Sequence, residues 1–244
     1  MHLLITNDDG LDSKGLDILI DWAKTIGDPV LIIPKNPCSG KSHAIDFIKP
    51  FEVQEVQPYR GIRTIIVDST PADCVRIGIC LYHLPVDMVL SGINLGINVG
   101  VDTLYSGTVA AVEEAAALGY PGVAFSAFPE ALDEVRKDLD SVWNYISEYH
   151  LFDYSKHLNI NFPISPKGIV LTRFGGPYIQ DRFVSKGNQM YQADGYIAYE
   201  PAEGKGDDLH AVMNHWITVS PITIEKTDLA ALEKMKSVTG QGKE

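Results

Sequence analysis

Leu3-Leu4-Ile5-Thr6-Asn7-Asp8-Asp9-Gly10 opens the chain with an apolar run that stops at an acidic turn. A run of this length, closed by a Gly-ended turn, predicts a short buried strand. Behind it, Leu16, Leu19, Ile20 and Ala23 recur at helical spacing, Ser13 stands where an N-cap is needed, and residues 29–33 are again apolar. Strand, helix and strand in that order make a crossover between parallel neighbours. The fold class that follows is α/β, a Rossmann-like, doubly wound and mostly parallel sheet.

Further along, residues 45–56 break into short strand-like pieces around Pro50, and residues 64–67 add another apolar strand, which together predict an inserted hairpin. Thr70-Pro71-Ala72-Asp73 marks a helix start, with Thr as N-cap, Pro at the first helical position and an acid in the first turn. That helix should carry Val75, Ile79 and Leu81 inward. A strand at 87–90, an alanine-rich helix at 108–118, a strand at 122–126 and an amphipathic helix at 130–150 continue the alternation. Beyond about residue 155 it gives way. Strands at 158–162 and 169–172 are followed by residues 175–208, rich in Gly, Tyr, Gln and Asp with little periodicity, which read as an extended arm or hairpin. A strand at 216–224, a helix at 228–236 and a frayed tail at 239–244 complete the chain. The expected division is an α/β catalytic core over 1–174, the arm over 175–215, and a C-terminal strand and helix over 216–244.

The 244 residues, 45% hydrophobic and 21% charged, suffice for one main core. No apolar run approaches ~20 residues and the N-terminus has no basic n-region, so the expectation is a soluble, cytoplasmic chain away from membranes. Cys38, Cys74 and Cys80 are odd in number and form no C-x-x-C pair, which argues against a disulfide framework and a cysteine-rich zinc site. A formal net charge of −12 without any Lys/Arg cluster excludes long nucleic acid as a partner. A single phosphate is a different matter, because one metal ion and a few backbone N–H groups neutralise it locally.

Asp8 and Asp9 stand at the carboxyl end of the first strand, which in open α/β sheets faces the ligand crevice. Adjacent carboxylates repel unless a proton or cation lies between them, and the fitting cation is a hard divalent ion such as Mg²⁺ or Mn²⁺. The plain alternative is an acidic surface turn with Gly10 at positive φ. A second loop, Ser91 to Gly100, has glycine at 92, 96 and 100 and asparagine at 94 and 98. Glycine lets backbone approach a ligand, while asparagine offers a carbonyl oxygen to a metal or an amide donor to phosphate. The loop runs into Tyr105-Ser106-Gly107-Thr108-Val109, the start of the alanine-rich helix, where free N–H groups, the dipole and two hydroxyls make an anion site. Simple N-capping by Ser106 is the alternative there.

Cys38-Ser39-Gly40-Lys41-Ser42-His43 contains the Gly-Lys-Ser that ends a P-loop, but Lys35 stands where the leading glycine belongs and no clear helix follows. Ser39 can still reach a metal or phosphate over the crevice. Arg76, Lys41 and His43 are isolated basic residues open to substrate contact or to surface roles, and Asp73 reads as structural. H-E-x-x-H is absent, as is the Asp-x-Asp spacing around Asp8 of phosphatases that form an aspartyl-phosphate.

Taken together, Asn7 to Gly10, Ser39-Gly40, Ser91-Gly92-Ile93-Asn94 with Gly96, Asn98 and Gly100, and Tyr105 to Ala111 resemble the survival-protein SurE nucleotidase family. The likeness extends through Thr70 to Val75 and, less closely, through residues 206–221. It implies a metal-dependent phosphatase that hydrolyses nucleoside 5′-monophosphates, with 3′-monophosphates and short polyphosphate as further substrates in some members. It also implies one Mg²⁺ or Mn²⁺ per subunit on Asp8, Asp9, Ser39 and Asn94, and a homodimer or homotetramer built through an exchanged C-terminal segment, a role that fits the arm.

On this reading Asp8 and Asp9 are the catalytic pair, and Asn98, Ser106, Gly107 and Thr108 hold the phosphate oxygens for in-line attack by a metal-activated water. The general base is left open, and direct attack by Asp8 or Asp9 is the variant. Competing readings are a non-catalytic nucleotide sensor and an NTPase that uses Lys41. The chain departs from the family pattern at Gly206-Asp207-Asp208, where Gly-Thr-Asp is usual, and at Glu113-Glu114-Ala115, where Glu-Gly is usual. The changes bear on arm packing and substrate preference.

Overall fold

A computed structural model describes residues 1–200 and 206–239. In chain order the elements are β1 (His2–Thr6), α1 (Lys14–Ile26), β2 (Asp28–Pro34), β3 (Val53–Tyr59), β4 (Ile62–Val67), α2 (Pro71–Arg76), β5 (Met88–Leu95) and α3 (Gly107–Ala117). They continue with β6 (Gly122–Ala127), α4 (Leu132–Glu148), β7 (His157–Phe162), β8 (Ile169–Leu171), β9 (Ile179–Gln180), β10 (Phe183–Gly187), β11 (Met190–Ala193), β12 (Tyr196–Ile197), α5 (Asp208–Met213), β13 (Ile217–Pro221) and α6 (Leu229–Thr239).

Nine strands form one sheet in the order β3-β4-β2-β1-β5-β6-β7-β13-β8. The run from β4 to β7 is parallel, β3 is an antiparallel edge on β4, and β13 lies antiparallel to β7 and parallel to β8. Successive strand side chains point to opposite faces, so a strand covered on both sides is apolar throughout. In β1, Leu3 and Ile5 enter the core beneath α1 and α4, while Leu4 enters the one beneath α2 and α3. The first core gains from Trp22, edge-on to both Phe125 and Trp143 and hydrogen-bonded through Nε1 to Asp140 at 3.0 Å.

The chain leaves β1 toward β2 on one side and later returns to lay β5 on the other. The connections after β1 and β5 therefore diverge to opposite faces, and the carboxyl ends of these two strands are the position at which open α/β sheets take their ligands.

Several expectations change. Residues 45–52 form no strand, and the inserted hairpin is β3–β4. The helix begun at Pro71 continues as a π-helical turn over Ile77–Leu81, and the extra residue of that wider turn leaves Leu81 57% exposed instead of inward. β5 continues to Leu95 by pairing Asn94 and Leu95 with Ser126 and Ala127, so the Gly/Asn stretch starts as strand, and a 3-10 helix, Gly100–Tyr105, follows it. Within 175–215, β9 to β12 form two small antiparallel ladders that stand exposed, but α5 is buried against β13 and β7 with Leu209, Ala211 and Val212 inward. Residues 201–205 of the expected arm and 240–244 of the expected tail lie outside the described residues.

Candidate active site

The acidic turn is braced from within. Asn7, fully buried at the end of β1, donates Nδ2–H to Gly10 O at 2.9 Å and accepts the Gly10 N–H on Oδ1 at 3.2 Å. Asn7 was not among the expected site residues, although an asparagine three positions before a glycine is itself a turn signal. The brace fixes Asp8, which is 4% exposed, and the half-buried Asp9 at the crevice.

Asp8 is held from three sides. Thr108 Oγ1 donates to its Oδ1 at 2.5 Å, its carbonyl accepts the Cys38 N–H at 2.7 Å, and Gly107 lies so close that a Cβ there would fall 2.9 Å from Asp8 Cβ. Asp9 Oδ2 accepts the Leu95 N–H at 3.3 Å. Burial raises the carboxyl pKa of both; at Asp8 the Thr108 hydrogen bond opposes the rise and the neighbouring Asp9 charge adds to it.

The other expected residues divide. Ser39 is exposed on the loop after β2, one residue from the Cys38 amide that joins this loop to Asp8. Asn94, near the end of β5, donates Nδ2–H to Gly96 O at 2.7 Å, so of its two polar side-chain atoms it is the carbonyl oxygen that could serve a metal. Asn98 turns toward the sheet: its Nδ2 donates to Ser126 Oγ at 2.8 Å, its N–H to Asn161 Oδ1 at 2.8 Å, and its carbonyl accepts from Asn159 and Asn161. Ser106 caps α3, accepting the Val109 N–H at 3.1 Å, and its hydroxyl hydrogen stays free for a further acceptor. The Thr108 hydroxyl hydrogen is committed to Asp8, a partner the sequence did not reveal.

No helix follows Lys41, and that side chain is exposed, so the P-loop reading falls. The loop it belongs to is anchored instead by His43. His43 Nε2 lies 2.7 Å from Glu114 and Nδ1 3.3 Å from Glu113 on α3, and these two carboxylates push its pKa up to about 9. Arg76 joins Glu114 at 3.8 Å and Asp73 at 2.7 Å. Asp73, fully buried, also accepts the Asp46 N–H and the Ser69 hydroxyl, which is the structural role expected of it.

Among the described residues no three His, Cys, Asp or Glu side chains converge as a metal cluster. The neighbours of Ser39 and Asn94 touch the acid pair, the Cys38 N–H on the Asp8 carbonyl and the Leu95 N–H on Asp9 Oδ2, and a serine hydroxyl and an asparagine carbonyl are oxygen donors of the kind hard divalent cations take. Two close, desolvated carboxylates are also the electrostatic arrangement that a cation relieves. The residues present fit such an ion.

Comparison with known proteins agrees over nearly the whole chain. The family model described as survival protein SurE matches residues 3–181. The 5′-nucleotidase SurE 1 of Thermus thermophilus is 35% identical over 98% of this chain and 98% of its own, and the 5′-nucleotidase SurE of Clostridium botulinum is 30% identical over 98% and 99%. The crystal structure of the SurE protein from Aquifex aeolicus superposes with a TM-score of 0.80 at 30% identity, covering 98% of this chain and 100% of that one.

Proposed function

The chain belongs to the survival protein SurE family, from which we infer that it is a metal-dependent phosphatase, hydrolysing nucleoside 5′-monophosphates to nucleoside and inorganic phosphate. The observation that carries the chemistry is the Thr108 to Asp8 hydrogen bond, which places the acid pair after β1 directly against the start of α3. Residues that hold a cation and residues that hold an anion thus share one crevice.

One divalent ion per subunit, Mg²⁺ or Mn²⁺, would sit on Asp8, Asp9, Ser39 and Asn94 and supply Lewis-acid chemistry at phosphorus. Around it the chain's own groups bind and orient. The Gly107 N–H and the Ser106 hydroxyl, at the positive end of α3, take the phosphate oxygens. Thr108 fixes the Asp8 rotamer, and Asn98 stiffens the loop through β6 and β7 more than it contacts phosphate. This distribution suits a protein of net charge −12, whose long-range field repels a nucleotide, because all neutralisation is local.

A subunit assembly through the exposed β9–β12 ladders belongs to the same reading. So does a cytoplasmic location, which accords with Cys38, Cys74 and Cys80 all being free thiols; no helix among the described residues is long and apolar enough to cross a membrane. Purified protein should release phosphate from AMP only with added Mg²⁺ or Mn²⁺, lose that activity to a chelator and regain it on re-addition of metal. Release that persists in chelator, or no release with either ion, defeats the assignment.

A further inference from the structure

Two carboxylates outside the acid pair join the phosphate-side loop to the root of the arm. Asp208 is fully buried at the start of α5, where Oδ2 accepts the Gly100 N–H at 2.9 Å and Oδ1 accepts those of Gly175 at 2.8 Å and Leu209 at 2.9 Å. Asp102, two residues beyond Gly100, uses the single oxygen Oδ2 for two amides at the arm root, Tyr178 at 3.1 Å and Ile179 at 2.8 Å. Between them the backbones touch, and a Cβ on Gly100 would fall 2.0 Å from Gly176 O. On its other side the same loop is pinned to β6 and β7 through Asn98. The short 3-10 segment that ends at Tyr105 and delivers Ser106, Gly107 and Thr108 is therefore fixed at its base by the arm.

Backbone amides at such a junction need acceptors, and an interior amide left unpaired is costly. Neither strand pairing nor helix supplies them at Gly100, Gly175, Tyr178 or Ile179; the two aspartates do. We propose that Asp102 and Asp208 are positioning residues for phosphate binding, a latch through which the seating of the arm is felt at the turn that holds the phosphate. The inference rests on placing that phosphate at the start of α3.

The test uses the full chain with AMP in saturating Mn²⁺. Because one oxygen of Asp102 serves both amides, Asp102→Asn retains the acceptor and Asp102→Ala removes it. Asp102→Ala is expected to raise KM about tenfold with kcat within about threefold of the parent, the pattern of lost uniform binding, while Asp102→Asn stays within about twofold. Asp208→Asn sets an NH₂ group against an amide N–H whichever way it turns, so its KM should rise at least as far. If that variant does not fold, the Asp102 pair decides.

Amide hydrogen exchange gives a readout free of turnover: in Asp102→Ala, exchange should quicken at residues 103–108 as well as at 178 and 179. Unchanged KM in Asp102→Ala, equal damage from Asn and Ala, or quickening confined to 178 and 179 would overturn the latch. A parent that releases no phosphate from AMP sinks the nucleotidase reading instead, and the exchange pattern still judges the latch.

Discussion

Thr108 Oγ1 donates a 2.5 Å hydrogen bond to Oδ1 of Asp8, so the start of α3 and the acid pair after β1 are tied by one hydroxyl. Thr108→Val keeps the shape and removes that donor, freeing the Asp8 rotamer. A hydrogen bond to a charged group is worth about 1.5–3 kcal/mol, so kcat/KM on AMP should fall roughly ten- to hundredfold. Thr108→Ser should recover most of it. Lys41→Ala, at an exposed side chain, should cost less than Thr108→Val, and the reverse order in side-by-side kinetics would refute this placement of the site.

Asp9→Asn is expected to lower phosphatase activity by orders of magnitude while leaving the fold intact. Burial raises the carboxyl pKa of both acids, and at Asp8 the Asp9 charge adds to it, so the metal-free variant should melt no lower than the metal-free parent. Added Mn²⁺ should raise the parent's Tm by mass action and the variant's much less, which thermal-shift measurements at matched metal concentration will show. Near-normal turnover of the variant in saturating metal contradicts the ligand assignment.

His43 makes the loop that carries Ser39 sensitive to pH. Its pKa stands at about 9 in the fold against 6.5 ordinarily, raised by Glu113 and Glu114. A raised pKa means the protonated clamp contributes fully below about 6.5 and is lost as pH climbs through about 9. For a partly exposed pair worth up to about 1 kcal/mol, the parent should melt about 2–4 °C above His43→Asn at pH 6, and the gap should close by pH 10. A gap that widens with pH reverses the sign and refutes the clamp.

Phe183, Met190, Tyr191 and Ile197 are each more than 60% exposed on the β9–β12 ladders, with no core of their own to enter. Replacing residues 180–197 by a short Gly/Ser linker, which spares Gly175 and Asp208, should convert an oligomer to monomers by light scattering. A parent that is already monomeric at micromolar concentration removes the arm from assembly.

The alternation up to α4 was legible because each element carries its own signal: Leu16, Leu19, Ile20 and Ala23 share one helix face, and Thr70-Pro71 caps α2 with Thr70 Oγ1 accepting from Asp73. Helix α5 escaped because six residues span less than two turns, too few to establish a period. In the site, the types Asp, Asn, Ser and Thr were readable from local spacing, but their partners were not. The Thr108 contact bridges a hundred residues and the Asp208 contact with Gly100 bridges 108, and no local pattern encodes which donor a distant carboxylate meets. Asn98 shows the same limit, with an amide suited to phosphate that is satisfied by Ser126.

The position of β13 between β7 and β8 sets an order on synthesis. Among the described residues β8 pairs within the main sheet with β13 alone, so residues 169–171 and the outer edge of β7 wait unpaired until residues 217–221 have emerged, with the whole arm made in between. Chains fold as they are made, at about 5–20 residues per second, and an open apolar strand edge is adhesive during that interval. A ribosome stalled between residues 172 and 216 would thus hold a nascent chain that already contains Asp8, Asp9 and Thr108 yet is prone to self-association, and chaperone demand should peak over that window.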